Sequence, residues 1–222
     1  MAVSIDTVYQ KVLALANKEQ RGYITPQEFN LFADHAQKEI FEQYFYDLNQ
    51  FSRVLGNSTE YSDIIDNINE KIAIFETTGA GLNLASDLYR LGTVISASGT
   101  EIEEVQPNEL LYINNSAILK PNLKRSVYVR NGNTIVVTPF SSNVSYTYTR
   151  LPAKPNWAYV IINDKALYNG TPGVYVDFEL HPSEEPELVY KILALAGVAI
   201  EKPQLVQTAA GLGAGKIQQE KQ

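Results

Sequence analysis

The stretch from Phe29 to Phe51 is the strongest constraint on what this chain can fold into. Phe29, Phe32, Ala33, Ala36, Ile40, Tyr44, Leu48 and Phe51 recur at steps of three and four, the spacing that lines one face of an α-helix. Thr25 suits the cap and Pro26 the first helical position, since proline lacks only an N–H that would go unpaired there. One helix is therefore expected from about 26 to 50, roughly 37 Å at 1.5 Å per residue. Phe41 and Phe45 lie beside the main stripe and widen it, so more than one face calls for burial. Two neighbours with the same period flank it. Val8, Val12, Leu15 and Ala16 predict a first helix with Ser4 or Asp6 as N-cap, and Ile64, Ile65, Ile68 and Ile72 predict a third after the polar break "GNSTEYSD". Residues 1–76 read as a helical region.

From "TTGAGLN" (77–83) the pattern changes. "LYRLGTVIS" is strand-like, and "PNELLYINN" (107–115) predicts a short helix opening on proline. "RSVYVRNGNTIVVTP" is two β-branched runs around Asn131, Gly132 and Asn133, a hairpin signal. In "NVSYTYTR", Val144, Tyr146 and Tyr148 alternate with Ser145, Thr147 and Thr149, as in a strand with one buried face. "WAYVIIN" and "GVYVDFEL" predict two more strands joined through the turn-rich "DKALYNGTP". Helix returns at "HPSEEPELVYKILALAGVAI", with Ser183 as cap, glutamates in the first turn and Leu188, Val189, Ile192 and Leu195 as the apolar stripe,. The expected fold is α+β: an N-terminal helical unit and a C-terminal helix around an antiparallel β-sheet. Residues 77–202 form the β-rich region, integrated with 1–76 as one domain. Residues 203–222, rich in glycine and glutamine, read as a flexible tail.

Composition narrows the function classes. A hydrophobic content of 45% in 222 residues is enough for a core,. The net charge of −7 and pI near 4.9 argue against sequence-independent binding to nucleic-acid phosphates or anionic lipid. The absence of cysteine excludes disulfides and thiolate metal sites. "MAVSIDTVYQ" has neither the basic nor the apolar segment of a secretory leader,. No apolar run approaches the ~20 residues of a membrane helix.

Several stretches imitate chemical sites. Read from Asn17, "NKEQRGYITPQEF" has the outline of a calcium loop, with Gly22 at the turn, Ile24 at the apolar position and Glu28 closing. Such a loop needs converging oxygen ligands and net negative charge, yet its fifth position is the cation Arg21 and its third the long Glu19. A helix-to-helix turn explains the same residues: Gly22 makes the reversal, and Thr25 with Glu28 forms a capping box. "GLGAGKI" resembles a phosphate loop, but Ala210 stands at the first glycine and Ile217 at the magnesium-binding hydroxyl,. The two histidines, His35 and His181, lack the neighbours of a triad or zinc site. The acids of "EIEE" (101–104) and "SEEPE" (183–187) are read as helix-start charges,. No catalytic, cofactor-binding or metal-ligating residue is assigned, and no enzyme activity is expected. The 14 tyrosines suit half-buried strands and also interfaces.

Two segments carry a family resemblance. "TVYQKVLALANKEQRGYITPQEFNLFADHAQKEIFEQYF", and "FELHPSEEPELVYKILALAGVAI" with the tail ending "QQEKQ", resemble virion structural proteins of tailed bacteriophages. The likeness is to those of crAss-like podoviruses and related marine phages, and among them to the ring or adaptor proteins of the neck. The resemblance implies a homo-oligomeric ring, of twelve copies to match the portal, that joins head to tail. Its implied partners are the portal and other neck and tail proteins, with DNA passing through without specific binding and no membrane contact. It implies synthesis in the host bacterial cytoplasm and residence in the virion, and it brings no catalytic residues. The acidic charge agrees with a conduit that repels DNA. Two contact surfaces are expected: Phe41 and Phe45 on the outer stripe of helix two, and the sheet around Tyr146 and Tyr148. The alternative class is a β-rich binding module of another virion part, a tail or capsid accessory protein that reads a host surface.

Overall fold

The computed structural model describes residues 3–18, 24–52, 59–199 and 211. In chain order the elements are helices α1 (Ile5–Lys18), α2 (Pro26–Ser52) and α3 (Thr59–Ala73), then strands β1 (Glu76–Ala80), β2 (Leu88–Ser96) and β3 (Glu101–Glu104). Helix α4 (Pro107–Asn115) and strands β4 (Val127–Asn131), β5 (Thr134–Thr138) and β6 (Val144–Arg150) follow. The hairpin β7 (Tyr159–Ile162) and β8 (Lys165–Tyr168), a 3₁₀ turn (Pro182–Glu184) and α5 (Glu185–Ala199) complete the described chain. The α+β class holds. The chain divides into two compact units: Met1–Ile74 with Pro152–Gln222, and Phe75–Leu151. The C-terminal helix thus belongs with the N-terminal helices, and the strands of residues 75–151 interrupt that unit in sequence.

In the helical unit, α2 runs 27 residues as its period predicts, burying Phe29, Ala33, Ala36, Ile40, Phe41, Tyr44 and Phe51. α5 packs against both α2 and α1 and buries Leu188, Val189, Ile192, Leu193 and Ala196. Leu193 is buried where Leu195, expected in the stripe, is only half-buried. Two amides on α2 fix the segment that returns from the sheet region. Gln37, fully buried, donates from Nε2 to the Ala153 carbonyl (2.8 Å), and its Oε1 accepts from the Glu179 amide (3.1 Å). Asn30, seven residues earlier on the same face, accepts from the Trp157 amide (2.8 Å) and donates to Asn156 Oδ1 (3.2 Å). Trp157 is thereby held against Tyr9, at 4.2 Å between centroids, with its Nε1 donating to Asp6 Oδ1 (2.9 Å). Tyr159 and Tyr168, at the base of the β7–β8 hairpin, stack on the same indole at 5.9 and 5.8 Å.

The sheet unit has the strand order β1-β6-β2-β3-β4-β5. Its core is Leu84, Val94, Ile102, Tyr128, Ile135, Val137, Val144, Tyr146 and Tyr148. The sheet curls until its edges meet. Past Gly81 (φ 98°), the continuation of β1 reaches β5, where the Ile135 amide donates to the Leu82 carbonyl and the Leu84 amide to the Asn133 carbonyl, both 2.9 Å. Tyr146 locks this seam by donating to the Asn83 carbonyl (3.1 Å) and accepting from the Ala85 amide (3.0 Å). Its ring covers Gly79, its cross-strand partner, where an added Cβ would meet the ring at 2.4 Å.

Four expectations are corrected. The sheet is mixed, because β3 and β4 pair in parallel; a parallel pair needs a crossover, and α4 lies in it. "EIEE" is strand β3, with only Ile102 turned inward, and not a helix start. "GVYVDFEL" forms no strand of a sheet, only isolated bridges from Val176 to Asn156 and from Phe178 to Val3. The partner of β7 is instead β8, within the stretch read as a turn, and the reversal is made by Asn163 and Asp164 at φ 50° and 60°. Those are left-handed values suited to a two-residue hairpin turn, in which Asn and Asp are tolerated. The tail expected at 203–222 lies outside the described residues apart from Gly211.

Gln37→Leu strands two backbone groups at Ala153 and Glu179. It removes two hydrogen bonds, each with a net worth of about 0.5–1.5 kcal/mol, so a loss of roughly 1–3 kcal/mol is expected in urea unfolding. A loss below about 0.5 kcal/mol would show that the clamp is dispensable. In the sheet unit, Tyr128 donates to Glu104 Oε2 (3.2 Å), and burial, reinforced by the Glu104 charge, pushes its phenol up to about 12. The stabilisation from the neutral hydroxyl is complete below the ordinary phenol value of 10.0 and lost as pH rises through the folded value. The stability advantage of the native chain over Tyr128→Phe should therefore fall between pH 10 and 12, as read from denaturation midpoints. An advantage constant across that window would contradict the assignment.

Candidate functional site

In the helical unit, α2, α3 and the turn into α5 enclose a groove of about 370 Å³. Its apolar wall is Ile40, Tyr44, Phe51, Ile64 and Ile68, and its charged groups are Asp47, Glu70, Lys71, Glu184 and Glu187. Glu184 and Glu187 are buried, although sequence reading made them helix-start charges. A buried carboxylate requires a counter-charge, and Lys71 supplies it at 2.6 Å from Glu184 Oε1 while its ammonium lies 5.7 Å from the Tyr44 ring centroid. Lys191 approaches Glu187 at 3.8 Å and Glu39 at 2.6 Å.

His181 and Ser183 also line the groove, with Nδ1 and Oγ 2.8 Å apart. The Ser183 amide donates to the same Nδ1 (3.2 Å), so that nitrogen is the unprotonated one. His181 is the N-cap of the 3₁₀ turn, the place expected for Ser183, whose hydroxyl reaches Glu184 Oε1 at 3.2 Å. The contact closes a local turn, as capping side chains do. Among the described residues, no group of three His, Asp or Glu side chains gathers to hold a metal.

The capping box at the head of α2 forms as the sequence predicts. The Thr25 amide donates to Glu28 Oε2 (3.0 Å), and the Glu28 amide to Thr25 Oγ1 (3.3 Å). The Thr25 hydroxyl also donates to Glu28 Oε2 (2.7 Å), and this bond with that of the Thr25 amide lowers the Glu28 carboxyl below its ordinary value. The carboxylate that would close a calcium loop is engaged at a helix cap. Residues 19–23 of that stretch lie outside the described residues.

Three of the four expected contact residues lie in the interior. Phe41, Tyr146 and Tyr148 are buried within this chain, and Phe45 is half-buried with its ring 5.1 Å from Phe41. Tyr148 ends on Asp87 Oδ1 (3.2 Å). Alternation along β6 located the buried face correctly, and a core tyrosine with a bonded hydroxyl satisfies the same pattern as an interface tyrosine. On α2 itself Leu31 and Tyr46 are exposed, and further apolar surface in contact with water lies elsewhere. Helix α4 buries no residue, and within 107–125 Leu111, Tyr112, Ile118, Leu119 and Leu123 are exposed, Ile118 at 92%. Val160, Ile161, Ile162 and Leu167 of the β7–β8 hairpin are exposed as well. Sequence reading missed the first patch because Leu110, Leu111, Tyr112 and Ile113 run consecutively and give no stripe to assign inward or outward. No protein-family profile matches this chain, and no curated protein matches it in sequence.

Lys71→Met removes the Lys71 counter-charge from the buried Glu184. Such a loss costs 3–5 kcal/mol when fully buried; with the Lys71 side chain 19% exposed, about 2–3 kcal/mol is expected. Adding Glu184→Gln should recover part of it, because the two sites couple. Equal stability of Lys71→Met and the native chain, by urea unfolding, would show that the pair does not support the groove.

Proposed function

We propose that this protein is a structural virion component of a tailed bacteriophage, assembling as a homo-oligomeric ring in the neck between portal and tail. The observation that carries the assembly part is α4 with its following segment, a helix without one buried residue bearing Tyr112, Ile118 and Leu123 in water. An exposed apolar patch of this kind marks an interaction surface. The neck assignment rests on the likeness of residues 7–45 and 178–200 to phage ring and adaptor proteins. In this reading the protein is made in the host bacterial cytoplasm and works in the virion. Its neighbours are the portal and other neck and tail proteins, and DNA passes without specific contacts, consistent with a charge of −7. Twelve copies would match the portal. The function resides in subunit contacts, so no single residue behaves as a catalytic group.

Deleting the gene from the phage should give filled heads without attached tails under the electron microscope, and mass spectrometry of native particles should find the chain at a fixed multiple per virion. Normal infectious particles from the deletion strain would overturn the structural role.

A further inference from the structure

The chain holds two Asn-Gly dipeptides, Asn131-Gly132 and Asn169-Gly170. In each, the glycine nitrogen can attack the asparagine side-chain carbonyl, and glycine leaves that nitrogen unshielded because it has no Cβ. The fold treats the two differently. Asn131 ends β4 in register with Thr134 of β5, whose hydroxyl donates to the Asn131 carbonyl (3.0 Å), and Arg130 Nε donates to the Gly132 carbonyl (3.2 Å). That peptide is held by the hairpin, and no hydrogen bond from a described residue reaches the Asn131 side chain. Asn169 lies at the base of the β7–β8 hairpin, its amide donating to the Ala158 carbonyl (2.8 Å). Its side-chain Oδ1 accepts twice from Thr171, from the hydroxyl at 2.7 Å and from the amide at 3.2 Å. Bonding two residues ahead folds the Asn169 carboxamide back over the intervening Gly170 nitrogen, as a backbone turn would. Among the described residues the Gly170 amide donates to no other group. Asn169 is half-buried, and Gly170 and Thr171 are exposed, so water reaches the site.

We propose that Asn169-Gly170 is a site of self-modification, at which the Asn169 carboxamide becomes a carboxylate without an enzyme. The Gly170 nitrogen gives its proton to solvent base and bonds to Asn169 Cγ, from which it is separated by one turn of its own backbone. Negative charge passes to Oδ1, where the Thr171 N–H and O–H stabilise it as donors aimed at an oxyanion do. Collapse breaks the Cγ–Nδ2 bond, and Nδ2 leaves as ammonia with a proton from water. Water then opens the cyclic imide at either carbonyl, giving aspartate or isoaspartate. The balance is one water consumed and one ammonia released. Both products add a negative charge at the hairpin base. Isoaspartate also lengthens the backbone by a methylene beside Tyr168, the residue that stacks on Trp157 at 5.8 Å. This inference is independent of the ring reading.

The test incubates the full chain at mildly alkaline pH and follows both dipeptides by peptide mass spectrometry, with isoaspartyl methyltransferase labelling to separate the two products. In the native chain Asn169 should convert about tenfold faster than Asn131 or more, and no slower than in the chain unfolded in urea. Thr171→Ala should slow conversion at Asn169, and Thr171→Ser should keep the native rate. An enclosed oxyanion donor is worth roughly 10²–10³ in rate; water replaces an exposed one in part, so a slowing of roughly three- to tenfold is expected. Equal rates at the two dipeptides, or an Asn169 that is protected by folding, would overturn the proposal. So would a Thr171→Ala chain that converts at the native rate or faster, since the Thr171 bonds would then clamp the carboxamide instead of activating it.

Discussion

The Gln37 amide is the interaction on which the helical unit depends. A single buried side chain holds the backbone at Ala153 and at Glu179 against α2, so both ends of the returning segment are fixed to one point of one helix. No apolar residue at position 37 could do this. With Asn30 holding Asn156 and Trp157, the register of the whole return is set. Trp157 then falls between Tyr9 and the hairpin base, Asp177 reaches the Ile5 amide at 2.9 Å to cap α1, and the 3₁₀ turn brings Glu184 to Lys71. The groove is a consequence of that registration.

The sheet unit solves a different problem with tyrosine. A small curled sheet has little interior, and Tyr128, Tyr146 and Tyr148 fill it while passing their hydroxyls to Glu104, Asn83 and Asp87 at its margin. The rings supply apolar volume and the hydroxyls tie strand to loop. Gly79 leaves room for the Tyr146 ring on the neighbouring strand, a pairing in which the aromatic covers the backbone that glycine leaves bare. The tyrosines expected at an interface are therefore committed to the interior.

With the interior satisfied, what remains apolar on the surface has another reason to be there. The connection between β3 and β4 needs only to cross over, yet it carries a helix with no buried residue and a basic, apolar continuation.

Local order was legible in the sequence. The period of Phe29 to Phe51, the capping box at Thr25 and Glu28, the hairpin around Gly132 and the alternation along β6 are all consequences of nearest-neighbour geometry, and each appears where its pattern places it. Spacing alone states which residues share a face. Tertiary structure decided what that face meets. Gln37 reads as an ordinary polar helix residue until a distant backbone supplies its partners, and Glu184 reads as a solvated helix start until Lys71 arrives from 113 positions away. The parallel pairing of β3 with β4, the junction of β7 with β8 and the exposure of α4 were settled the same way. Each is a choice among partners far apart along the chain, and the free energy of burial that decides it belongs to the assembled surfaces and not to any local run of residues.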